Sequence, residues 1–286
     1  MKLFSLPGGA ILQHGSAFYQ LDMEWDELVN RANLYKFLVG FIGRKQPIAA
    51  EAAAGAIDTL LLAPIGQQEV WAAGVTYLRS REARMEESAN SGAADLYDKV
   101  YAAERPELFF KSLPHRVAGH NQQVYIRRDS IWNVPEPEMT LFINSEGDIQ
   151  GYTVGNDLSS RSIEGENALY LPQAKIFERS AALGPCLFIP EESPDPQTAI
   201  KMSIERGGKV VYADETAIGR MKRSFTELTH YLFRECDFPH GCFLMTGTCL
   251  VPPNDFTLQE GDIVSITIDQ IGTLVNHIAY KPMTKK

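Results

Sequence analysis

Glu136 and Glu138 stand one residue apart in NVPEPEMTLFIN, and a third acid, Asp157, closes the apolar stretch GYTVGND. Carboxylates brought close together repel unless a positive charge lies between them. The natural partner is a hard divalent cation with oxygen ligands, Mg²⁺ or alternatively Mn²⁺, which keeps positions open for water or substrate. No His or Cys stands near enough in sequence to suggest zinc.

The elements that carry these acids decide whether they meet. Side chains of a strand alternate between faces, so Glu136 and Glu138 share one face while Met139, Leu141 and Ile143 pack on the other. Pro135 and Pro137 lack an amide donor and belong at a strand's first residues or on an edge. A two-residue hairpin loop at Gly147-Asp148 then pairs Glu138 with Asp157, with Cβ atoms roughly 5 Å apart. The competing reading makes Glu136 and Glu138 solvated acids that guard an edge strand. Spacing alone leaves both open, and the hairpin register favours the ion.

Two further groups have reactive chemistry. Lys175 follows ENALYLPQA, a stretch too apolar for an exposed loop. A lysine against apolar walls loses its proton and serves as a base; the commoner alternative is a lysine that snorkels to solvent. In RPELFFK, read as a strand, Glu107, Phe109 and Lys111 share a face, and the plain alternative is an ion pair at a sheet rim.

Around these motifs the pattern is α+β: a mixed, largely antiparallel β-sheet roll with a small N-terminal α/β module. Residues 1–66 form the small module. KLFSL and AFYQL read as strands, WDELVNRANLYKFLVGFI as a helix with Asp22 as its cap, and AAEAAAGAIDTLLLAPI as a helix running into a strand. Residues 67–286 form the larger domain, with helix over 78–104 in two pieces split at Asn90-Ser91-Gly92, a hairpin at Gly207-Gly208 and an amphipathic helix in FTELTHYLFREC.

With 286 residues and a net charge of −9, the chain has ordinary globular composition and no basic stripe for nucleic acid. Nothing reads as a bilayer span or a signal peptide. The four cysteines lack C-x-x-C spacing and suit a reducing compartment, so a cytoplasmic location is expected.

Taken together, GVTY, RPELFFK, EPEMTL, GYTVGNDLSSR, the lysine of PQAK, LGP, TGT and EGDIVSITIDQIGTLVN resemble the fumarylacetoacetate hydrolase superfamily over about residues 70–280. The resemblance implies that Glu136, Glu138 and Asp157 hold Mg²⁺ or Mn²⁺, that Lys175 is the family lysine, and that Thr248 belongs to its Gly-Thr loop. It further implies a homodimer or homotetramer. Hydrolytic members carry N-Y-x-x-H-x-x-E, whose His and Glu activate water. Here Tyr77 matches, but Ser80 and Ala83 replace that pair, and Cys249 stands where proline is usual. VYAAERPELFFK and DLSSRSIEGENALYLPQAK instead resemble the 2-keto-3-deoxy-pentonate (2-keto-3-deoxy-D-arabinonate) dehydratase branch.

The implied reaction is dehydration of a small 2-keto acid. The metal polarises the ketone and stabilises an enolate, Lys175 removes the C3 proton, and Glu107 protonates the departing C4 hydroxyl, or these two exchange roles. Ser80 and Arg84 bind hydroxyls or the substrate carboxylate, and Thr248 holds the keto acid. The alternative is C–C hydrolysis of an acylpyruvate or 2,4-diketo acid on the same metal. A metal-binding scaffold without activity is the weakest reading, because every reactive group is present.

Overall fold

The computed structural model describes residues 1–79, 85 and 99–283. Its strands are β1 (Lys2–Leu6), β2 (Gly9–His14), β3 (Ala17–Leu21), β4 (Glu69–Gly74), β5 (Glu107–Ser112), β6 (Val117–Ala118), β7 (Gln122–Ile126), β8 (Asn133–Val134) and β9 (Pro137–Ile143). They continue with β10 (Ile149–Asp157), β11 (Ser159–Ser160), β12 (Ala181–Phe188), β13 (Ala199–Arg206), β14 (Lys209–Ala217), β15 (Cys242–Met245), β16 (Ile263–Ile268) and β17 (Gly272–Tyr280). The helices are α1 (Trp25–Val29), α2 (Leu34–Ile42), α3 (Ala50–Leu60), α4 (Arg161–Glu166), α5 (Leu171–Lys175) and α6 (Phe225–Phe233).

A ten-stranded sheet runs β3-β2-β1-β12-β10-β9-β15-β4-β5, with β6 beside β12, and a five-stranded sheet runs β14-β13-β16-β17-β7. Pairing is antiparallel except for β15 with β4, β12 with β6 and β17 with β7, so the sheets are mixed and largely antiparallel. The two sheets face each other across one core. Met139, Leu141 and Ile143 of β9 lie in it with Ile200, Met202 and Ile204 of β13 and Val264, Ile266 and Ile268 of β16. The opposite face of the large sheet meets the N-terminal helices, where Phe142, Phe243 and Leu187 pack with Leu28, Leu34 and Leu38.

The first 66 residues supply β1–β3 and α1–α3, and β1 pairs with β12, so the sheet is continuous across that point of the chain. Two local expectations are corrected here. WDELVNRANLYKFLVGFI is not one helix: it breaks at Asn33, whose φ of +51° is left-handed, and the first helix starts after Glu24, not at Asp22. Nor does a strand follow α3, since Leu61–Leu62 carry no ladder pairing and Leu62 N simply bonds Ser5 O at 2.9 Å.

The turns obey their chemistry elsewhere. Gly207 and Gly208, at φ +57° and +75°, form the two-residue loop that joins β13 to β14. Ser224 Oγ accepts the Glu227 amide at 3.1 Å and caps α6. The helix expected at 78–104 falls largely outside the described residues. Among the described residues no helix is long and apolar enough to cross a membrane.

Candidate metal centre and active site

β9 is a central strand, hydrogen-bonded to β10 on one side and β15 on the other, and all seven of its residues are buried. That excludes the solvated edge-strand reading of Glu136 and Glu138. The two prolines stand at the strand's start, where a missing amide costs no ladder bond.

The hairpin register differs from expectation. The loop is Ser145–Gly147, closed by Asn144 N to Asp148 O at 3.0 Å, with Asn144 Oδ1 accepting the Glu146 and Asp148 amides. Gly147 takes φ +85° as the left-handed residue of this three-residue turn. Asn144 captures the loop amides, an effect invisible to a rule based on the glycine alone. Glu138 therefore sits opposite Gly155, not Asp157, while the Asp157 amide donates to Glu136 O at 2.9 Å. From Gly151 onward the shift is by two residues, so the side chains near the acids keep their expected face.

The three acids do meet. One oxygen from each of Glu136, Glu138 and Asp157 lies within 4.8 Å of the others, and all three side chains are buried. The cavity they line, with Gly74, Phe109, Lys175 and Thr248, holds about 20 Å³, the room of one water or one small ion.

Three cations surround them. Lys175 Nζ donates to Glu136 Oε2 at 2.6 Å, Ser159 Oγ at 2.5 Å and Asp157 Oδ2 at 3.1 Å, and Glu164 Oε1 is 3.5 Å away. Arg161 donates to Glu136 Oε1 at 2.6 Å. Lys111 Nζ reaches Asp157 Oδ1 at 2.5 Å, Lys175 O at 2.5 Å and Leu158 O at 2.9 Å. Among the described residues, the carboxyl groups of Glu136, Glu138, Asp157 and Glu164 face the cations Lys111, Lys175 and Arg161.

Among the described residues Glu138 makes no ion pair, and it accepts the Gly247 amide at 2.5 Å. Burial, then the charges of Asp157 and Glu136, push its pKa well above the usual carboxylate range, against the pull of Lys175 and the Gly247 amide. Gly247 is required for this contact: at φ +94° its missing Cβ would lie 2.0 Å from Thr76 Oγ1. Three converging carboxyl groups with space for one ion fit a hard divalent cation.

Burial, and secondarily Lys175, draws the Lys111 pKa down, while Asp157 raises it. Its Nζ donates to two backbone carbonyls and lies beside the Asp157 carboxylate. Lys175 has oxygens of Glu136, Asp157, Ser159 and Glu164 around its Nζ, so its surroundings are polar rather than the apolar walls expected, with the Phe109 ring 5.7 Å from Nζ.

Glu107 opens β5 opposite Gly74, and a Cβ on Gly74 would fall 2.0 Å from Glu107 Oε2. The missing side chain lets this carboxylate lie over a residue that lines the ion cavity. Thr248 lines the same cavity, its Oγ1 accepting the Leu250 amide at 3.2 Å. Ser80 and Arg84 lie outside the described residues. Ser159, Arg161 and Glu164 were not foreseen as parts of the site, since they depend on how the chain turns after Asp157. Lys111 was singled out on the strand face of Glu107 and Phe109, and it meets the buried Asp157 rather than forming an ion pair at a sheet rim.

The model for the fumarylacetoacetate (FAA) hydrolase C-terminal family matches residues 70–279. The chain belongs to the fumarylacetoacetate hydrolase family. It is 49% identical over 223 residues, 78% of this chain and 76% of the other, to a probable 2-keto-3-deoxyxylonate dehydratase of Haloferax volcanii. It is 41% identical over 223 residues, 77% of this chain and 75% of the other, to the 2-dehydro-3-deoxy-D-arabinonate dehydratase of Saccharolobus solfataricus. A solved structure of 2-keto-3-deoxy-D-arabinonate dehydratase complexed with magnesium and 2,5-dioxopentanoate aligns with a TM-score of 0.83 at 32% identity, covering 99% of this chain and 100% of that one. That solved structure shares the fold described above.

Proposed function

We propose that this family member is a Mg²⁺-dependent hydro-lyase that dehydrates a 2-keto-3-deoxy pentonate. The observation that carries the reading is the convergence of Glu136, Glu138 and Asp157 within 4.8 Å, around a cavity that Lys175 also lines. The dehydratase names of the relatives, and the magnesium in the aligned structure, support it.

Glu136, Glu138 and Asp157 would hold the ion, Mg²⁺ or alternatively Mn²⁺. When bound it supplies Lewis acidity for a ketone and neutralises the carboxylates that otherwise hold Lys175 as an ammonium. Lys175 takes the C3 proton. Glu107, protonated, gives a proton to the C4 hydroxyl, which leaves as water. A C5 proton then moves to C3, giving a C4–C5 enol, whose hydroxyl proton passes to C4, and the product is an open-chain 2-oxo acid aldehyde. Arg161 and Lys111 keep Glu136 and Asp157 oriented. Thr248, and Ser80 and Arg84 in the sequence between, are assigned to the substrate.

The four cysteines are unpaired, which agrees with a reducing, cytoplasmic setting, and assembly as a homodimer or homotetramer is part of the same reading. The test is incubation with Mg²⁺ and two panels, 2-keto-3-deoxy aldonates and 2,4-diketo acids, with products weighed by mass spectrometry. Loss of one water from the first panel is expected. Scission with gain of water in the second, and nothing in the first, would replace the lyase by a C–C hydrolase.

A further inference from the structure

A cavity of about 560 Å³ adjoins the ion site, walled by Tyr77, Arg79, Thr216, Arg220 and Cys249 among others. The same two chain segments bound both spaces. Residues 73–75 and 247–248 line the small cavity, and 77–79 and 249–251 line the large one. Their relation is fixed by hydrogen bonds: Thr76 Oγ1 to Thr246 O at 2.7 Å, and Lys222 N to Thr76 O at 2.9 Å, beside a bridge between Tyr77 and Met221. Arg220 thus enters this wall on a segment tied directly to the one behind the metal ligands.

The chemistry of the wall is selective. Asp214 is engaged, by the Tyr212 hydroxyl at 3.4 Å and the Glu215 amide at 2.8 Å. Arg220 makes no ion pair among the described residues. Cys249 Sγ donates to Thr216 Oγ1 at 3.0 Å, so the thiol occupies an acceptor site on that hydroxyl and leaves its hydrogen to be given elsewhere. Proline at 249 would leave no such donor. The wall, which also carries the Asp214 and Glu215 carboxylates, therefore offers Thr216 and Arg220 as hydrogen-bond donors on the two segments that continue from the metal site.

Resting on the dehydratase reading, we infer that Thr216 and Arg220 form the subsite for the fifth carbon's oxygen, with Cys249 orienting Thr216. Two donors suit that oxygen both as the substrate's hydroxyl and as the product's aldehyde carbonyl. They reject a tail that ends in a methyl group, because binding it leaves both donors without a partner.

The experiment compares kcat/KM for 2-keto-3-deoxy pentonate and for 4-hydroxy-2-oxopentanoate, which differs only in lacking the C5 hydroxyl, with Mg²⁺ present. The wild-type protein favours the pentonate. Thr216→Val and Arg220→Met each shrink that preference about tenfold, and Thr216→Ser restores it. An unchanged ratio, or an equal fall on both substrates, overturns the subsite, since these residues would then serve the metal site or the fold. A wild-type protein that dehydrates neither compound overturns the dehydratase reading itself, and the subsite with it.

Discussion

Lys111 Nζ lies 2.5 Å from Asp157 Oδ1, with both side chains buried. The lysine also holds the carbonyls of Leu158 and Lys175. One ammonium thereby joins β5, the end of β10 and the end of α5, which carry respectively Glu107, Asp157 and Lys175. Lys111→Met fills similar volume but strands a buried carboxylate and two carbonyls. Breaking a buried pair costs roughly 3–5 kcal/mol, and urea unfolding should report a loss of that order. A loss under about 1 kcal/mol, the range of an exposed pair, would show that Asp157 finds another partner.

Glu138→Gln should remove the ion without harming the fold. The amide oxygen still accepts the Gly247 hydrogen, and its NH₂ faces Glu136 and Asp157 as a donor, where a carboxylate repelled them. Loss of an outer partner alone weakens a metal site about 10–100-fold, so loss of a ligand should exceed that. Mg²⁺ titration by calorimetry is the check, with circular dichroism as the control for folding. Binding of Mg²⁺ at wild-type strength by the Glu138→Gln variant would remove Glu138 from the ligand set.

Lys175 and Glu107 separate by the step each serves. Lys175→Met should abolish both dehydration and exchange of C3 protons into deuterium oxide, whereas Glu107→Gln should keep exchange and lose dehydration. General acid–base groups contribute about 10²–10⁴-fold, and proton NMR of a bound 2-keto acid resolves the two steps. The reverse pattern, exchange lost in Glu107→Gln and kept in Lys175→Met, would assign the base to Glu107.

Strand alternation alone placed Glu136 and Glu138 on one face, and the family motifs located Lys175 and Glu107. Period-two geometry survives a register error of two residues, which is why the acid cluster was legible although the loop was misplaced. Asn144's grip on the turn amides was not legible, because it is a side-chain contact with no periodic trace. Nor was the helix break at Asn33, where the apolar spacing continues across a residue in the left-handed region. The cations that balance the acids come from β5, α4 and α5, and only the folded topology shows that they meet.

The same balance governs how pH acts on the protein. Without a cation, burial and two neighbouring carboxylates raise the pKa of Glu138 well above its ordinary range. A carboxyl raised in the folded state stabilises it while protonated and loses that contribution as pH rises through the folded value. The metal-free protein should therefore lose stability as pH climbs from the ordinary carboxylate range through that raised value. A bound divalent ion requires the ionised form, so its binding releases the Glu138 proton and weakens on acidification. The gap in Tm between Mg²⁺-saturated and metal-free protein should then widen with pH, and it should flatten in Glu138→Gln. Scanning calorimetry across the pH range measures it directly. A gap that stays constant in the wild-type protein would mean that Glu138 is already ionised before the metal arrives.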